Sequence, residues 1–285
     1  MKKKIIALLL AALVCLAAAG CQKESPAEEA APSLLATTQP VYQITCALTA
    51  GTGLGVELLI SEPVSCLHDY TLSVSQMQRI EKASLILKSG LGLEDFMDSV
   101  LSGREAVDLS SGLLPLTGEE GEDPHWWLDP ARMQLALKAA CDALSARYPA
   151  QEDTFRTNCA AFEEKLSQLQ AYGDEALSGL SCRELVTFHD GFSYFADAFD
   201  LTIAAAMEIE SGSESSAKEL EAIVSLVRAR AIPAVFTETN GESGTAAVIA
   251  GETGCKTCTL DMAISAEDYF SAMRENIDIV KEALA

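Results

Sequence analysis

His125 lies in the stretch GEDPHWWLDP, between acidic residues and beside two adjacent tryptophans. The chain has only two other histidines: His68 in EPVSCLHDY and His189 directly after ELVTF. An aspartate, Asp261, follows the run CKTCTL. Three imidazoles and one carboxylate are the donor set of a divalent transition-metal site, and borderline nitrogen ligands suit zinc or its neighbours. Three histidines and a water would also make a metal-dependent hydrolase. A fourth protein ligand would fill the open position that a hydrolase needs, and no convincing general base accompanies the set. No HExxH helix is present, so a zinc protease is not indicated.

The elements that must position these residues alternate between strand and helix. LLATT, GVELLI, SLILKSG and EAVDLS read as strands. PVYQITCALTAG, VSQMQRIEKA and LEDFMDSVLSG between them read as helices. Residues 118–123 form a polar loop. Asp129 then caps a helix that opens at Pro130 and reaches about Arg147. From Ala150 to about Ser178 the alternation stops in one helical stretch with no proline, roughly 40 Å long at 1.5 Å per residue. It resumes with ELVTF, LTIAAAMEI, AVFTE and CKTCTL as strands. DGFSYFADAF, a Ser215- or Ser216-capped helix to Arg230, GTAAVIAGETG and a final helix lie around them.

The expected fold is therefore α/β: two small lobes with parallel sheets, joined by one long linker helix. The boundaries read as 34–149 for the first lobe, 150–179 for the linker and 180–285 for the second. His68, His125, His189 and Asp261 all stand beyond carboxyl ends of strands, where open α/β sheets bind ligands, two from each lobe. A metal site in the cleft between the lobes follows.

The start of the chain bears on its compartment. MKKK and a short apolar run mark residues 1–20 as a secretory signal. LAAAGC resembles the lipobox of bacterial lipoproteins, which implies cleavage before Cys21 and acylation of that cysteine, holding the protein at a membrane face. Residues 21–33, rich in Pro, Ala and Glu, read as a flexible tether. The formal charge of −22 becomes −25 once the three signal lysines leave. Such a field repels phosphate backbones, and no nucleic-acid partner is expected. Seven further cysteines remain after Cys15 and Cys21, in no disulfide-scaffold spacing. The one close pair, Cys255 and Cys258, is open to three readings: a local disulfide, two buried thiols or metal ligands. A structural role is expected, since a lone CxxC lacks the second pair of a zinc knuckle.

Taken together, HDYTLSVSQMQRIEKASLIL, DPHWWLDP, LVTFHDGFSYFADAFDL and the LD of CTLDMA resemble the solute-binding lipoproteins of bacterial ABC importers for zinc and manganese, over about Leu34 to the end. The resemblance implies a monomeric extracytoplasmic carrier, not an enzyme. It would bind Zn2+ as cargo through His68, His125, His189 and Asp261 and deliver it to a permease and ATPase. Manganese members of the family carry a carboxylate at the third position. His189 there implies zinc, with Mn2+ as the alternative. An adhesin or scavenging role without a permease is a further alternative. A siderophore or haem binder would need an aromatic or basic pocket, which this acidic chain does not offer. Three departures stand out. Only the short acidic TGEEGED precedes the second motif, where many zinc members carry a His-rich loop. Met262 follows Asp261 where proline is common, which makes Glu238 in FTETN the substitute fourth ligand. Cys66 and Leu67 precede His68, and the Cys66 thiol can join the site.

Overall fold

A computed structural model of the chain describes residues 33–62, 70–118, 121–207, 216–239, 241, 244–264 and 268–285. The expected signal, the expected lipidation site Cys21, nearly all of the tether, and Cys66 and His68 lie outside these residues.

Four short apolar runs build the first sheet: β1 (Ser33–Ala36), β2 (Gly55–Leu58), β3 (Leu85–Lys88) and β4 (Ala106–Asp108). They pair in the order β2-β1-β3-β4, every pair parallel. A second sheet uses β7 (Glu184–Thr187), β8 (Thr202–Ala206), β9 (Ala234–Glu238) and β10 (Lys256–Leu260) in the order β10-β9-β7-β8, again all parallel. Numbered within its own sheet, each lobe has the same order, 2-1-3-4. The direction in which successive strands are added therefore reverses between the first and third strands of each sheet, and the crevice at their carboxyl ends is where such sheets receive ligands.

Helices cover both sheets. In the first lobe these are α1 (Gln39–Thr49), α2 (Val74–Lys82), the single turn α3 (Asp98–Leu101) and α4 (Pro130–Arg147). The second has α6 (Ser193–Ala198), α7 (Ala217–Arg230), α8 (Gly244–Thr253) and α9 (Tyr269–Leu284). Their starts obey local chemistry. Ser73 and Ser216 each close a capping box, with Gln76 and Glu219. Asp129 accepts from the amides of Ala131 and Arg132, with Pro130 in the first turn.

Between the lobes runs α5 (Glu152–Ala176). Its buried residues Phe155, Cys159, Phe162, Leu166, Leu169 and Gly173 recur every three or four positions, one stripe along one face. That stripe packs on α1 and α4 of the first lobe and on α9 of the second. A single apolar cluster runs from Leu34, Leu85, Ile86 and Leu87 through Trp126 and Trp127 to Leu260 and Tyr269, so the lobes share one core.

Two local expectations are corrected. Residues 93–103, expected as one helix, form a 3-10 turn at Asp95–Met97 followed by α3. The buried Glu94 carboxylate accepts from the amides of Ser89 and Gly90 and from Thr37, which fixes the chain before a longer helix can start. The loop expected at 118–123 carries a small antiparallel hairpin, β5 (Thr117–Gly118) against β6 (Gly121–Glu122). Gly121, at φ +137°, supplies the backbone conformation that this tight return requires. Among the described residues no helix is long and apolar enough to cross a membrane.

Candidate metal centre

His125 follows the hairpin and precedes a 3-10 turn, Trp126–Leu128, that leads into α4. Both tryptophans are fully buried and both indole N–H groups are satisfied. Trp126 donates to the Ser89 carbonyl at 3.0 Å, beyond the end of β3. Trp127 donates to the Met262 carbonyl at 2.8 Å, beyond the end of β10. Tyr269 donates to the Trp127 carbonyl at 2.8 Å. The residue after His125 is thus tied to the first lobe and the next one to the second. The crowding around this histidine is what fixes its place.

The ring itself is oriented by Asp123. One carboxylate oxygen, Oδ1, accepts from the His125 amide at 2.9 Å and stands 2.7 Å from His125 Nδ1. A carboxylate can only accept, so Nδ1 carries the proton and the lone pair of the neutral ring lies on Nε2. This is the arrangement that orients metal-ligating histidines. Asp123 Oδ2 is buried with no hydrogen-bond partner among the described residues.

His189 comes from the other lobe, two residues past β7. Its Nε2 stands 3.4 Å from His125 Nε2, with the rings edge to face at 86°. Gly191 makes this possible, because a Cβ there would collide with the His189 ring and the Met262 methyl. Glu238, the last residue of β9, is buried within electrostatic reach of His125. Burial pushes its carboxyl up to about 7, while the His125 imidazole works in the opposite direction. Trp127 walls the site, its ring 5.3 Å from that of His125.

Asp261, directly after β10, is held in a turn of its own. Its Oδ1 accepts from the Ala263 amide at 2.7 Å, and Asn276 clasps its backbone amide and carbonyl. It lines a cavity of about 510 Å³ beside β10 and α9, with Thr239, Lys256, Cys258 and Asn276; neither His125 nor His189 lines it. Among the described residues, no three His, Cys, Asp or Glu side chains stand together as a metal-holding group. The pair that is assembled is His125 and His189, from opposite lobes. The CKTC cysteines are separated by the sheet: Cys255 packs on the small cluster around Val227 and Ile249, Cys258 on the main core. Both are free thiols, and neither a local disulfide nor a shared metal fits that placement.

Sequence reasoning passes over Asp123 and Gly191. Their signals are an acid two residues before a histidine and a glycine two residues after one.

Residues 34–283 match the family described as ZnuA, zinc-uptake complex component A, periplasmic. The chain belongs to this family. It is 30% identical over 310 residues to the zinc-binding lipoprotein AdcA of Streptococcus pneumoniae, an alignment covering 98% of this chain and 61% of that one. The chain thus spans about three fifths of the length of the curated AdcA relatives it matches. The crystal structure of ZnuA superposes with a TM-score of 0.79 at 26% identity, covering 89% of this chain and 99% of the other. The Zn(II)-bound ZnuA-like domain of Streptococcus pneumoniae AdcA does so with a TM-score of 0.79 at 28% identity, over 89% and 99%. The two-lobed α/β architecture expected from the alternating pattern is the architecture of these structures. Family members are named for zinc uptake and zinc binding rather than for catalysis, and the hydrolase alternative falls.

Proposed function

We propose that this chain captures zinc outside the cytoplasm and delivers it to an ABC permease and its ATPase. The observation that carries the reading is the 3.4 Å separation of His125 Nε2 and His189 Nε2. Two nitrogens bound to one tetrahedral zinc at ~2.0–2.1 Å stand about 3.3–3.4 Å apart, so the pair is already spaced as two corners of a zinc tetrahedron. The names of the relatives support the choice of metal: AdcA is a zinc-binding lipoprotein, and its ZnuA-like domain was solved with Zn(II). Two imidazoles favour zinc over manganese, which prefers oxygen donors.

In this reading His68 and Asp261 complete the set, and Glu238 is the carboxylate that stands in if Asp261 stays in its turn. The lobes are the segments 34–149 and 180–285, with 150–179 between them. Cys21 carries the lipid anchor, and the carrier acts as a monomer.

Competition against a chromophoric zinc chelator tests the assignment. His125→Ala and His189→Ala should each weaken zinc binding by more than tenfold, because a closed site loses a whole ligand. Unchanged circular dichroism would show that the variants fold. Parent-like affinity in a folded His189→Ala protein overturns the site. A parent that binds manganese more tightly than zinc overturns the choice of metal.

A further inference from the structure

Two cysteines meet where α4 folds back onto α5, and the metal chemistry uses neither. Cys141 on α4 is fully buried and Cys159 on α5 nearly so, and both are free thiols in this structure. Arg156, three residues before Cys159 and so on the same helical face, reaches across until its Nη1 lies 3.7 Å from Cys141 Sγ. The face of α5 that carries Cys159 is therefore the one that meets Cys141. The two thiols are near enough to act on one another electrostatically. Burial, then the Cys141 and Glu163 charges, push the Cys159 thiol up to about 12. The family is described as periplasmic, and disulfides persist in compartments of that kind.

We propose that Cys141 and Cys159 form an intrachain disulfide that ties the long helix α5 to α4. Exchange with a low-molecular-weight disulfide such as oxidised glutathione makes the bond. The Cys159 thiolate attacks one glutathione sulfur, forming a mixed disulfide and expelling the first glutathione thiolate. The Cys141 thiolate then attacks the Cys159 sulfur, forming the intrachain bond and expelling the second. The two thiol protons end on the two glutathione molecules, whose disulfide is the species reduced. Because little Cys159 thiolate exists at neutral pH, closure is slow there and quickens on alkalinisation. This inference is independent of the metal site.

The test uses the full chain, reduced and then incubated with oxidised glutathione at alkaline pH. Remaining thiols are blocked with iodoacetamide under denaturing conditions before tryptic digestion. The expected product is a reducible cross-link between the peptides 139–147 and 157–165, with an intact mass lower by two hydrogens. The thermal midpoint should rise by roughly 5 °C or more, since the bond closes a short loop of the unfolded chain. Cys159→Ser should show neither the cross-link nor the rise. Recovery of Cys141 and Cys159 as alkylated or glutathionylated residues, or a link from either to another cysteine, overturns the proposal.

Discussion

Among single residues, the site is set by what each polar group can do once water is removed. Asp123 can only accept, so it dictates the tautomer of His125 and turns its lone pair toward His189. Glu238 has no such freedom from its surroundings: burial holds its proton to about pH 7, well above its ordinary value of 4.5. Between those two values the metal-free folded protein keeps a proton that the unfolded chain has lost. Its contribution to stability is therefore complete below about pH 4.5 and is lost as pH rises to about 7, on the order of 1–3 kcal/mol. Glu238→Gln removes this dependence. In urea unfolding of metal-free protein, the variant should gain on the parent between pH 4.5 and 7 and the gap should then level off. A gap that stays constant across that range would refute the buried acid. Three histidines and an aspartate can be singled out from type and position after strands. The role of Asp123 cannot, because it depends on which of its oxygens finds a partner.

Among the elements, α5 shows how a sequence pattern becomes a geometric demand. The apolar stripe and the absence of proline are enough to expect one long helix. Which residues the stripe meets depends on the neighbours. Gly173, near the end of the helix, abuts the buried ring of Phe199, and a Cβ would intrude on that ring. Gly173→Ala gains helix propensity of ~1 kcal/mol but overpacks this contact by ~1–3 kcal/mol. A net loss of up to about 2 kcal/mol is expected, read as a thermal midpoint lowered by up to roughly 6 °C. Adding Phe199→Leu should recover part of it. A Gly173→Ala protein that melts above the parent would show that the ring yields freely. The hairpin β5–β6 and the broken helix after Gly92 escape the pattern reading for a related reason. Each is held by side chains distant in sequence: Tyr194 accepts from the Leu116 amide and donates to the Asp123 carbonyl around the hairpin, and Thr37 donates to Glu94.

Taken whole, the molecule has lobes that are locked together more than hinged. Trp127 and Tyr269 bridge them through main-chain carbonyls, and Arg132 joins Asp129 to Asp197 while lying over the Tyr194 ring. A continuous helix without proline resists bending. Metal loading should therefore tilt the lobes slightly and order the loops around His189 and Asp261, without wide closure. Solution scattering of metal-free and zinc-loaded protein should nearly superimpose, while amide exchange in those two loops slows. A fall of several ångströms in radius of gyration on loading would show that α5 does not act as a strut.

Periodicity and local hydrogen bonding act over a few residues, and they are legible in the chain alone. They specify the alternation of strand and helix, the long connecting helix, the cap at Asp129 and one at Ser215 or Ser216, and the placing of His125 and His189 beyond strand ends. Three features are not written there: that His125 and His189 meet nitrogen to nitrogen, that Asp261 sits in its own turn, and that the CKTC thiols face different cores. These depend on how two sheets of identical strand order are set against each other. That arrangement is fixed by packing and buried hydrogen bonds between residues more than a hundred positions apart, such as Trp127 and Met262.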